Sequence, residues 1–160
     1  MGRSSKDLTP KRALQRARTI WAGMLLSLIA PGVIALLLIG PGTDQSSDTD
    51  PARSGAGGTI LSVIALVALL GGTFAGYLLR QQAFKAGWTG NAVKPKAYVT
   101  GNLLLFAPVE AASTVAVVVA IVEGSVFPTL LLAALGVAVL AINFPTGSAM
   151  DETLPDLTAR

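Results

Sequence analysis

Four long apolar runs separated by polar stretches set the pattern of this chain. They are residues 19–40 (TIWAGMLLSLIAPGVIALLLIG), 59–79 (TILSVIALVALLGGTFAGYLL), 98–122, and 126–144 (VFPTLLLAALGVAVLAINF). Crossing about 30 Å of hydrocarbon takes about 20 apolar helical residues, and each run is of that order. Lipid offers the backbone no hydrogen-bond partners, so such a run must satisfy its own N–H and C=O groups, as a helix does. The short alternating segments of a transmembrane barrel are missing. The pattern predicts an all-α fold, an integral membrane four-helix bundle. A basic segment (1–18) precedes the transmembrane domain (19–144), and a polar tail (145–160) follows it.

The polar stretches differ in sign. Residues 1–18 carry Arg3, Lys6, Lys11, Arg12, Arg16 and Arg18, and residues 80–97 carry Arg80, Lys85, Lys94 and Lys96. The stretch 41–58 carries Asp44, Asp48 and Asp50 against a single Arg53. Lysine and arginine accumulate on the cytoplasmic side of membranes. The N-terminus, the middle loop and the C-terminus are therefore expected in the cytoplasm of a bacterial-type inner membrane. The acidic loop and the short turn at 123–125 face outward. Thr9-Pro10 has the form of an N-cap followed by proline at the first helical position. A helix is expected to begin there and run into the first span. No A-x-A cleavage site follows that span, so it reads as a retained helix and not as a signal peptide. Trp21, Tyr77, Trp88 and Tyr98 are placed for a cytoplasmic interface belt.

Composition narrows the chemistry. Only 13% of the 160 residues are charged, about half the usual share in a soluble domain. There is no cysteine and no histidine. That excludes disulfides, thiolate or imidazole metal sites, cysteine nucleophiles and histidine acid–base catalysis. No nucleophile–base pair or paired carboxylates stand out, and no cofactor motif is present. A non-enzymatic protein is expected, with no catalytic residue, metal site or cofactor. The net charge of +3 belongs to the topology signal, so nucleic acid is not an expected partner. The expected partners are the lipid bilayer and either a second copy or another membrane subunit.

One ionisable residue lies inside the spans. Glu110 is about 18 Å along a helix from Tyr98, near the centre of the hydrocarbon. A charge there costs at least about 2.5–3.5 kcal/mol, and no lysine or arginine lies within any run to pair with it. Protonation is the cheapest relief. Ser113 and Thr114, three and four residues on, share its helical face; Ser62 and Thr73 of the second run are further hydroxyl candidates. Glu110, Ser113 and Thr114 thus form a candidate site for a proton or sodium ion. The competing reading is a neutral, hydrogen-bonded glutamic acid that fixes helix packing.

Other positions bear on packing. Pro31 and Pro108 fall inside predicted helices, where each removes a backbone donor and bends the chain. The segments GMLLSLIAPG (23–32) and GNLLLFAPVE (101–110) share a local pattern, from a duplicated hairpin or from the recurrence of Leu, Ala and Pro in membrane helices. Ala68, Gly72 and Gly76 repeat every four residues, a ridge that lets helix backbones approach. It serves packing within one chain or an oligomer face. Lys85, Trp88, Lys94 and Lys96 are candidates for headgroup contact, or simple topology anchors.

The segments LGGTFAGYLLRQQ (70–82) and LLLFAPVEAASTVAVVVAIV (103–122) together resemble the hairpin of the proteolipid, or c-type, subunit of rotary ATP synthases. In that family a glycine-rich helix leads to a polar loop with Arg-Gln, and the next helix carries a mid-membrane Asp or Glu. The resemblance implies that Arg80 and Gln81 match the loop and Glu110-Ala111 the ion-carrying site. It covers residues 70–122. The chain departs from the family in lacking the alternating glycines of the first helix, in its longer loop, and in its two extra spans.

Overall fold

The computed structural model describes residues 8–39, 56–124, 127 and 129–150. Most of the acidic loop, residues Arg3 and Lys6, Ser125, and the tail beyond residue 150 lie outside the described residues. Four helices dominate: α1 (Pro10–Ile39), α2 (Ala56–Gly87), α3 (Pro95–Glu123) and α4 (Thr129–Ile142). Two-residue strands β1 (Trp88–Thr89) and β2 (Ala92–Val93) join α2 to α3, and a 3-10 turn, Ser148–Met150, follows α4.

Helix α1 starts where Thr9-Pro10 predicts, with the Ala13 N–H donating to the Thr9 carbonyl at 2.9 Å. At 30, 32 and 29 residues, helices α1 to α3 run to about 43–48 Å. All three are long and apolar enough to cross a membrane. Only 11% of the most apolar window of α1 is buried, so apolar side chains such as Leu26, Leu37 and Leu38 point outward. Exposed apolar surface on this scale requires lipid or protein cover.

The structure departs from the hydropathy reading at two places. The expected loop 80–97 is largely helix, because α2 continues unbroken to Gly87. Hydropathy marks the lipid-facing length of a helix and not its end; Arg80, Gln81, Gln82, Ala83 and Lys85 are good helix formers. The remaining link is a tight hairpin, Trp88 opposite Val93 and Thr89 opposite Ala92. Gly90, at φ 61°, takes the first central turn position, the place of glycine in a type II′ turn. The expected span 126–144 contains a helix of only 14 residues, about 21 Å long and short of the bilayer thickness. It stops at Ile142 because Pro145 lacks an N–H and disfavours helical backbone at Phe144.

Helix α3 is the hub. It packs against α1, α2 and α4, while among the described residues α1 and α2 have no extensive contact. Its buried face, Leu105, Phe106, Val109, Ala112, Ala116, Val117 and Ala120, joins Leu28 and Ala35 of α1, Ala65 and Leu69 of α2, and Leu130, Leu132, Ala133 and Leu140 of α4. The opposite strip, Leu103, Ala107, Ala111, Thr114 and Val118, stays exposed.

A second, smaller core ties one end together. Ala17 of α1, Val93 of β2 and Tyr98 of α3 are buried there, with Leu14, Phe84, Ala97, Ala149 and Met150 around them. Tyr98 accepts a hydrogen bond from the Gly147 N–H at 3.0 Å and stacks on Phe84. Trp21 Nε1 donates to the Leu140 carbonyl at 2.8 Å, and its ring meets Phe144 edge-on. Trp21 and Tyr98 fasten α1 and α3 to the chain around and after α4. Tyr77 and Trp88 are exposed.

Candidate functional site

Gly72 and Gly76 set the closeness of α2 and α3. An added Cβ at Gly76 would lie 3.0 Å from the Leu104 oxygen and 3.1 Å from Leu105 Cα, and one at Gly72 would lie 3.3 Å from Pro108 Cβ. Pro108, having no N–H, leaves the Leu104 carbonyl without its helical donor. Gly76 therefore covers the carbonyl that Pro108 releases, and a Cα–H···O contact is available to it. Ala68, the third residue of the ridge, is exposed.

Glu110 sits one turn beyond this crossing. It is half-buried at the edge of the open strip, on the side facing α1. Its Oε1 lies 3.0 Å from Ser27 Oγ of α1, and the same Ser27 hydroxyl donates to the Met24 carbonyl at 2.7 Å. A serine hydroxyl has one proton and two lone pairs. Ser27 Oγ is within donating reach of both the Glu110 carboxyl oxygen and the Met24 carbonyl, and its one proton serves one of them at a time.

The other hydroxyls of the sequence reading are elsewhere. Ser113 is fully buried and donates to the Val109 carbonyl at 2.8 Å. Its side chain fills the notch at Gly136 of α4, where a Cβ would strike Ser113 Oγ. Thr114 is exposed on the open strip. Thr73 donates to Leu69 of its own helix at 2.6 Å. Ser62, buried on α2, stands near the level of Val118 by the Gly72–Pro108 register, about 12 Å from Glu110 along the axis. Structure thus brings Ser27 to Glu110, a residue the sequence reading passed over. The available signal was that Ser27 is the only hydroxyl between Thr19 and Gly40. It also lies four residues before Pro31, whose missing N–H frees the Ser27 carbonyl.

Comparison with protein-family models, curated proteins and solved structures finds no match. The site is therefore read from its own geometry. Among the described residues no cluster of acidic residues is suited to a metal ion. Lys85, Trp88, Lys94 and Lys96 are all exposed around the hairpin tip. Arg80 is half-buried just inside the tip; its Nη1 donates to Asn143 Oδ1 at 3.1 Å, and its guanidinium lies over Phe84. Asn102, one turn beyond Tyr98, is buried with its Nδ2 donating to the Tyr98 carbonyl and its Oδ1 unsatisfied.

Proposed function

We propose that this chain is a small, non-enzymatic, multi-pass protein of a bacterial-type inner membrane whose Glu110 binds and releases a proton. The observation that carries this reading is the contact of the Glu110 carboxyl group with the Ser27 hydroxyl across the α1–α3 interface. Loss of that proton lets the Ser27 hydroxyl turn from the Met24 carbonyl, which keeps its helical Leu28 donor, to the carboxylate. The two protonation states therefore differ in how α1 is held to α3 beside Pro31. Half-burial at the open strip of α3 gives a reagent or partner a path to the carboxyl group. A proton is favoured over sodium, because Ser113 is turned toward α4 and Thr114 lies exposed, so the two hydroxyls do not join Glu110 in one cation site. The strongly basic segments 1–18 and 80–97 support cytoplasmic termini, as does the packing of residues 13–17, 92–98 and 145–150 at a common end.

A second reading, a proteolipid-like translocating subunit, draws on the close Gly72 and Gly76 contacts of the α2–α3 hairpin. It requires a symmetric oligomer built across the open strip.

Carbodiimide labelling in native-like membranes, followed by mass spectrometry across pH with and without sodium, tests the proposal. Carbodiimides attack protonated carboxyl groups in apolar surroundings. Selective labelling of Glu110 that declines as pH rises is expected, with no protection by sodium. Absence of labelling at every pH would leave Glu110 a packing residue.

A further inference from the structure

On one face of helix α1, Lys11, Leu14, Gln15, Arg18, Thr19 and Ala22 line a shallow, open depression. The same face continues as Leu26, Ile29 and Val33, all exposed. A polar, basic patch thus passes directly into an apolar stripe. Arg18 is held in place from behind: its Nε donates to the Pro145 carbonyl at 3.3 Å, and its guanidinium carbon lies 5.3 Å from the Phe144 ring centre. That inward bond leaves both Nη groups to an outside acceptor, and a guanidinium fork matches the oxygens of a phosphate. Fixing the side chain in advance lowers the entropy cost of such a contact. Gln15 offers amide donors one turn away, and Lys11 adds a second positive charge about 10 Å further along the axis.

We infer that this face of α1 binds an anionic phospholipid. Its phosphate sits against Arg18 and Gln15, and one acyl chain lies along Ala22, Leu26, Ile29 and Val33. Level supports the assignment, since Arg18 borders the apolar run and headgroups occupy about 5–8 Å beyond the hydrocarbon. The positive patch complements the negative headgroup, and the apolar stripe complements the chain. The inference rests on the membrane reading but not on the protonation of Glu110.

The test is native mass spectrometry of the full-length protein released from nanodiscs of phosphatidylglycerol or phosphatidylcholine. Arg18 also supports the Pro145 contact, so the variant is Lys11→Gln with Gln15→Glu, which changes the patch and spares that contact. Phosphatidylglycerol retention is expected to fall at least fivefold, with phosphatidylcholine retention unchanged. Lys94→Gln with Lys96→Gln, at the hairpin tip, is expected to retain lipid as the unaltered protein does. Equal phosphatidylglycerol retention by the patch variant would overturn the site, as would an equal loss in the tip variant. Displacement of the lipid by excess inorganic phosphate would also overturn it. Failure to enter either nanodisc would overturn the membrane reading itself.

Discussion

Replacing Gly76 by alanine adds one methyl group to the tightest backbone contact between α2 and α3. The new Cβ would stand 3.0, 3.1 and 3.2 Å from the Leu104 oxygen, Leu105 Cα and the Leu105 oxygen. Ordinary contact begins near 3.4 Å, so the helices must separate by a few tenths of an ångström. All three neighbours are backbone atoms, and no rotamer change can relieve them. Overpacking of this kind costs about 1–3 kcal/mol. Alanine also returns about 1 kcal/mol of helix propensity, which would mask part of the loss. Gly71→Ala supplies the control, because nothing lies within 4 Å of a Cβ there. Gly71→Ala is expected to be neutral or stabilising, and Gly76→Ala less stable than it by about 1–3 kcal/mol. Gly72→Ala, facing the Pro108 side chain at 3.3 Å, should fall between them. Helix content followed through a denaturing-detergent titration from mild micelles measures all three. Equal midpoints for Gly71→Ala and Gly76→Ala would refute the close crossing, and with it the placement of Glu110 one turn away.

Other expectations follow from single contacts. Gly136→Ala drives a methyl group into fully buried Ser113 and should cost about 1–3 kcal/mol; adding Ser113→Gly should restore most of it, and the same titration reads both. Asn102→Leu removes a buried unsatisfied oxygen, a group that costs about 1–3 kcal/mol. The variant should unfold at an equal or higher temperature, and a marked drop would mean Oδ1 has a partner. Trp21→Phe keeps the ring beside Phe144 but loses the hydrogen bond to Leu140. It should destabilise by about 0.5–1.5 kcal/mol and speed proteolysis after residue 142.

What the sequence made legible was the part decided locally. Three of the apolar runs are long helices, Thr9-Pro10 marks the start of α1, and Glu110 is conspicuous as the one ionisable residue within the runs. The extent of α2 was hidden, because Arg80 to Gly87 is helical but not apolar and a hydropathy window stops at Leu79. The brevity of α4 was hidden for the converse reason: Asn143 and Phe144 extend the apolar run while Pro145 ends the helix. Ser113 and Thr114 share a face with Glu110 in projection, yet the notch at Gly136 draws Ser113 toward α4. Ser27 lies 83 residues from Glu110 on a helix that only tertiary packing brings near.

Reversible protonation of Glu110 beside Ser27 is the central claim. Infrared difference spectroscopy in lipid, comparing the protein with its Glu110→Gln and Ser27→Ala variants, tests it most directly. The account predicts a protonated-carboxyl stretch that gives way to a carboxylate band as pH rises, that Glu110→Gln abolishes and that Ser27→Ala shifts. A Glu110 signal that stays the same at every pH, or one indifferent to Ser27→Ala, would contradict it.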